Sequence, residues 1–334
     1  MFQNLLRWMH GAGPRPEGAD EADARLDELV ERIDPRLRLV PGYRRKLLPG
    51  VRRLLAFSRT LGRLTDAPLP LSRQGYSQDR RVGLFFSSPA SLVVTLRQSP
   101  AVQAFFAAPS SPDTAYALLV AQVSENQRYG MATDEGEVRS DVEQTVVSFD
   151  NHCLILPCDS LQGLAEAMQG RGLEEVVALI GAALHAAESR RVVVETELTR
   201  VRLRLSAAQS PGSVVIDSLA GEAPEDVATL SERLKALETE LVTLREASGL
   251  ESRLTLAMRL MEHPTDVFVL HPATLYLDRL GVKYDSNERP DVYAVSFEEL
   301  RLGGADALRR AVVPVAIPRG ALRDLEEEYD PPAF

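Results

Sequence analysis

The side chains best suited to chemistry are few. His152-Cys153 with Cys158-Asp159 is the one cluster of soft ligands, and a zinc-type centre would be its chemistry. A structural site of that kind needs four protein ligands, and no second Cys/His pair completes the set. Adjacent residues on a strand also point to opposite faces, so His152 and Cys153 should diverge. Core cysteines and a hydrogen-bonded histidine are therefore expected, with no metal and no cofactor. His263 and His271 are each followed by proline and read as strand-end residues. Gly11, Gly13 and Gly18 have no preceding strand and are interrupted by prolines, which excludes a nucleotide loop. No Gly-x-Ser-x-Gly, His-Glu-x-x-His or P-loop pattern occurs. The expected function is non-enzymatic, and an enzyme whose loops assemble a site without a linear signature ranks third.

Charge carries more information than any motif. Residues 35–112 hold 13 basic side chains against Asp66 and Asp79, a net charge of +11 in a chain whose total is −10. Lysine occurs only at positions 46, 235 and 283, so arginine supplies nearly all of the positive charge. The bias is too general to mark a site. A block such as 36–97 can hold nucleic acid or an anionic membrane surface through counterion release, with Arg44, Arg45, Lys46, Arg52 and Arg53 as the anion-binding candidates. The competing expectation is that these arginines pair with the protein's own acids, including Asp324, Glu326, Glu327, Glu328 and Asp330.

The elements that would position these groups follow from periodicity. Residues 1–19 read as a flexible tail, with Phe2, Leu5, Leu6 and Met9 at helical spacing. Residues 20–110 read as a helical basic region. Leu26, Leu29, Val30 and Ile33 form one stripe, Asp34-Pro35 ends it, and further helices start at Ser88-Pro89 and Ser99-Pro100. Residues 111–158 and 264–320 carry short β-type runs, expected to form one antiparallel sheet body, and residues 321–334 read as an acidic tail. Pro314 places its run at an edge or a bulge.

Between the two strand regions lies the strongest pattern. Leu173, Val177, Ile180, Leu184, Ala187, Arg191, Val194, Leu198, Val201 and Leu205 keep strict four-three spacing. Val227, Leu230, Leu234, Leu237, Leu241, Leu244 and Ser248 repeat it. Such spacing keeps one stripe toward a partner helix, so residues 160–263 are expected to fold back as an antiparallel coiled-coil hairpin. Its root is apolar all round, and its stalk (188–248) is charged outside the seam. Leu198 is expected near Leu234, and Arg191 near Glu188, Glu195 or Glu240. The tip loop (209–222) offers Val214, Val215, Ile216 and Leu219 as partner-binding candidates.

The fold class expected is α+β, predominantly helical, with the hairpin inserted into the sheet body. The function expected is a scaffold or adaptor presenting the hairpin to a protein partner or to a second copy of itself. The alternative is a binder of nucleic acid or anionic lipid. Two cysteines form no disulfide framework, no run of about 18 apolar residues spans a membrane, and Arg7 and His10 interrupt any secretory leader. A cytoplasmic location is expected, with peripheral membrane contact as its variant.

Overall fold

The computed structural model describes residues 21–64, 67–134, 137–209, 226–302 and 309–329, with backbone only over 131–141. The tail 1–19 and the tip candidates Val214, Val215, Ile216 and Leu219 lie outside the described residues. The chain divides into two compact units, Met1–Leu55 with Val177–His263 and Ala56–Val176 with Pro264–Phe334. The helical region expected over 20–110 is thus shared between them.

The first unit is helical. Helix α1 (Glu21–Ile33) buries Ala22, Leu26, Leu29, Val30 and Ile33, the stripe its spacing dictates. Asp34 ends it and caps a 3-10 turn (Pro35–Leu39) by accepting the Arg36 N–H. Helix α2 (Tyr43–Thr60) follows, and Pro49 lies inside it rather than at its start. Of α2, this unit contains residues 43–55, which bury Leu47, Val51, Leu54 and Leu55.

The first unit also takes in residues 177–209 of the long helix designated α7 (Leu161–Gln209), with α8 (Val227–Ala247) and α9 (Leu250–Glu262). The expected second arm is therefore two helices. Ser248 closes α8, and Gly249 adopts an extended conformation at the N-cap of α9. A glycine tolerates such a break because it is the weakest helix former after proline. Val177, Ile180 and Leu184 of α7 and Leu254, Ala257, Leu260 and Met261 of α9 are buried.

The second unit is built on a seven-stranded sheet with the order β3-β2-β7-β6-β4-β5, antiparallel apart from a short β1. Strands β1 (Leu69–Pro70), β2 (Thr114–Asp134), β3 (Glu137–Cys158), β4 (Phe268–Leu277), β5 (Lys283–Tyr284), β6 (Tyr293–Leu302) and β7 (Arg310–Pro318) come from both ends of the chain. An antiparallel bridge from Val146 to Val282 brings the last strand's edge back to β3, so the sheet is nearly closed.

Three strands are longer than the sequence runs suggest. The expected short strands over 115–157 are one long hairpin, β2 and β3. Within the expected strand region 264–320, β4 runs unbroken across Pro272. Strand β5 pairs only Tyr276 and Leu277, so the side of β4 away from β6 needs no N–H at Pro272. Pro314 is neither on an edge strand nor in a bulge. It lies in β7 between the end of β6 pairing at Val312 and the start of β1 pairing at Val315.

Along β2, Ala115, Ala117, Leu119, Ala121 and Val123 face the interior, the period of two expected of a strand. The small alanines leave room for Phe85, Phe149 and Phe297, whose rings pack with centroids 4.4 and 5.8 Å apart. Helices α3 (Arg73–Gln78), α4 (Arg80–Phe85), α5 (Pro89–Arg97) and α6 (Pro100–Ala107) lie here; Val82, Leu92, Val93, Leu96 and Val102, with Phe86 at the C-cap of α4, join this core. The segment expected as an acidic tail forms helix α10 (Ala321–Tyr329), with Ala321 and Leu325 buried in the same core. On the outer face, Leu164 and Met168 of α7 cover Leu118 and Val312.

Candidate functional site

Helix α2 displays the anion-binding candidates, and the protein's own carboxylates hold part of the set. Arg44 pairs with Asp27 and reaches Asp23 at 3.1 Å. The Tyr43 hydroxyl donates to Asp27 at 2.8 Å and, with Arg44, holds that carboxyl below its ordinary range. Lys46 lies 3.7 Å from Glu251. Arg45, Arg52 and Arg53 are exposed. Seven residues separate Arg45 from Arg52, which puts both on one helix face with Arg53 beside them. Elsewhere in the block, Arg38 meets Glu31, Arg73 meets Glu328, Arg81 meets Asp79 and Arg97 meets Glu326. Much of the +11 is thereby answered internally.

A buried ionic cluster ties the first unit together. Asp34 and Arg253 are both almost fully buried, and Arg253 Nε donates to Asp34 Oδ2 at 2.8 Å. Arg36 donates to Asp34 Oδ1 through its backbone N–H at 3.1 Å and through Nε at 3.2 Å. Arg36 also grips Glu188 at 2.8 Å, and Arg253 reaches the same carboxylate at 3.3 Å. His185 Nδ1 lies 3.2 Å from Arg36 and 3.3 Å from Arg253, so it accepts from both. Burial alone would raise the Asp34 pKa, but the hydrogen bonds from Arg253 and Arg36 outweigh it and the net shift is downward. The Arg36 hydrogen bonds hold Glu188 at about 2.

Helices α7 and α8 meet along an apolar strip. Val194, Leu198, Val201, Leu230, Leu237 and Leu241 are buried in one cluster, with Leu205, Leu234 and Leu244 packed against it. Arg190–Glu240 and Arg202–Glu238, both at 2.7 Å, flank the strip with Arg233–Glu197 and a longer Arg245–Glu195 contact at 3.7 Å. The carboxylates expected to receive Arg191 are thus engaged elsewhere. Its Nε is buried without a hydrogen-bond partner among the described residues. Outside the strip, Val192, Val193, Leu203 and Val242 are exposed.

The sheet unit carries a second charged cluster. Glu299 is buried and accepts from Arg309 at 2.7 Å and from Arg301, while Glu125 accepts from Arg309 at 2.7 Å and pairs with Lys283 at 3.2 Å. An open groove of about 660 Å³ is lined by Ser91, Thr95, Gln98, Asn151 and His152. Its hydroxyls and its imidazole are engaged within the protein. Ser91 and Thr95 donate to backbone carbonyls at 2.7 and 2.9 Å, and His152 Nε2 sits 2.8 Å from the Phe85 carbonyl with its ring stacked on Phe86. Burial pushes the His152 imidazole pKa down and the Cys158 thiol up, while Cys153 is exposed. Among the described residues, no three His, Cys, Asp or Glu side chains converge as metal ligands would. No described helix is long and apolar enough to cross a membrane.

No protein-family model, curated protein or solved structure matches the chain. The functional reading rests on these residues alone.

Both charged clusters escaped the sequence reading. One signal was available: Arg253 shares a helix face with Ala257, Leu260 and Met261, where a cation requires a buried anion.

Proposed function

We propose that the chain is a non-enzymatic scaffold whose working element is an antiparallel coiled-coil hairpin made by α7 and α8, presented to a protein partner. One observation carries this reading. The two helices bury a single strip against each other and leave their other faces, including Val192, Val193, Leu203 and Val242, in solvent. A helix pair that only had to stabilise the fold would gain by burying those side chains. The cross-helix ion pairs support the antiparallel sense, because residues 190 and 195 of α7 pair with 240 and 245 of α8, whereas 197 and 202, farther along α7, pair with 233 and 238, nearer the N-terminus of α8. They also support a register with Leu198 level with Leu237, about one helical turn from the Leu234 expected from the heptads.

The reading is tested by replacing residues 192–245 with a short turn. The cut spares Glu188, whose loss would strand Arg36 and Arg253. The trimmed chain should retain its remaining helix and sheet content and its cooperative unfolding, and should lose partner capture. Aggregation of the trimmed chain would show that the hairpin belongs to the core and would end the proposal.

A second reading is favoured by the exposed Arg45, Arg52 and Arg53. We propose, as the alternative, that this face holds an anionic polymer or an anionic membrane surface. Binding to duplex DNA or phosphatidylserine vesicles should then weaken steeply with salt and vanish in the triple charge-reversed variant. Salt-independent binding, or binding unchanged by the reversal, would reject it.

A further inference from the structure

Helix α7 carries a second heptad stripe nearly opposite the seam it shares with α8. Val192, Thr196, Thr199 and Leu203 are spaced four, three and four residues apart, and all four are exposed. At about 100° per residue the stripe lies roughly 150° round the helix from the seam, so α8 cannot cover it. The threonines add apolar surface there. Thr196 Oγ1 donates to the Val192 carbonyl and Thr199 Oγ1 to the Glu195 carbonyl, each at 2.9 Å. With their hydroxyls turned back onto the helix, their methyl groups extend the surface of Val192, Val193 and Leu203, of which Leu203 is 68% exposed.

The spacing is palindromic. A two-fold axis between Glu197 and Leu198 would set Val192 of one chain opposite Leu203 of another, and Thr196 opposite Thr199, twice over. Such self-complementarity is what an isologous interface requires. The flanking charges agree with it. In this antiparallel register, Arg202 of the second copy is the nearest flanking charge to Glu195, giving two opposite-charge contacts about the axis. Arg202 already pairs with Glu238, and Glu195 with Arg245, so docking would join these pairs into a chain of alternating charge. On the other flank, Arg200 lies alongside Val193 of the second copy.

We infer that a second copy of this chain docks antiparallel on the outer face of α7, through Val192, Thr196, Thr199 and Leu203. The inference rests on the hairpin reading above, since α7 must stand paired with α8 for this face to be the free one. Three helical turns bury roughly half of the ~800 Å² per partner of a standard interface, which places the dimer among small, transient associations.

Sedimentation velocity of the full chain over a concentration series should show reversible dimerisation, and Leu203→Glu should raise the dissociation constant at least tenfold without changing the melting curve. Register is read by disulfide trapping in a Cys153→Ser, Cys158→Ser background. Val192→Cys chains mixed with Leu203→Cys chains should cross-link faster than Val192→Cys chains alone. A chain that stays monomeric at about 200 micromolar overturns the inference. So does a dimer indifferent to Leu203→Glu, or equal cross-linking by Val192→Cys alone, which would mean parallel pairing or another face. Spin labels at Arg200→Cys and Lys235→Cys keep the two proposals apart. In doubly labelled chains diluted into an excess of unlabelled protein, a label separation within about 25 Å, two helix diameters, supports the hairpin whatever the oligomeric state, and a much longer one sinks the hairpin itself.

Discussion

Replacing Arg253 by methionine tests the account of the first unit most severely. Methionine keeps most of the side-chain volume, so the loss is electrostatic rather than a cavity. The change removes the bonds from Arg253 Nε and Nη2 to Asp34 Oδ2 and the bond from Nη1 to Glu188. Asp34 Oδ1 keeps the Arg36 backbone N–H and Nε, but Oδ2 is left without a donor in a site where the carboxylate is fully buried. Breaking one partner out of a buried ion pair costs about 3–5 kcal/mol, because the remaining charge stays desolvated. At about 2–4 °C per kcal/mol, this unit should melt roughly 6–20 °C lower. Far-UV circular dichroism against temperature and urea reads the loss directly. Asp34→Asn should also destabilise, since the amide donates where Arg253 donates. The double variant should lose at least about 2 kcal/mol less than the sum of the singles, because removing both charges leaves neither stranded. A single variant that melts within about 2 °C of the parent, or losses that simply add, would refute the idea that Arg253 answers a buried charge.

Three further outcomes follow from the same geometry. Glu188 is held at about 2 against an ordinary value of 4.5, and Asp34 is also lowered, so the stability they supply is complete above pH 4.5 and drains away as pH falls toward 2. Urea midpoints measured down that range should decline, and Glu188→Gln should flatten the decline; a parent protein with no acid slope contradicts the cluster. Gly281 has φ +79°, and an added Cβ would meet the Val147 carbonyl oxygen at 2.5 Å. Gly281→Ala should therefore cost about 1–3 kcal/mol and speed hydrogen exchange at the Val147 amide, which donates to the Gly281 carbonyl at 2.8 Å. Unchanged exchange there would mean the sheet does not close through this contact. Leu237→Ala removes a buried side chain from the α7–α8 strip and should cost about 2–4 kcal/mol. Its effect should appear as faster exchange along α8, with the amides of β2 and β7 unmoved.

Much of the helical layout was legible because its signals are local. The stripe Leu26-Leu29-Val30-Ile33 marked the buried face of α1, and Ser88-Pro89 and Ser99-Pro100 marked the starts of α5 and α6. The four-three spacing picked out Val194, Leu198 and Val201 with Leu230, Leu237 and Leu241, all of which are buried. Arg45, Arg52 and Arg53 were recognisable as a charged face, whereas the commitment of Arg44 to Asp23 and Asp27 was not.

What the amino-acid order settled on its own was where helices and strands form and which of their faces is apolar, since these depend on residues a few positions apart. Which distant groups meet was decided by the tertiary structure. Arg253 reaches Asp34 across 219 residues of sequence, and Val146 bridges Val282 to bring the sheet's edges together. Pro272 sits within β4 because no strand needs its missing N–H. Glu326 is half of an ion pair with Arg97 and lies on a helix rather than in a free tail. Periodicity reports which way a side chain faces, and only the packed chain determines what stands opposite it.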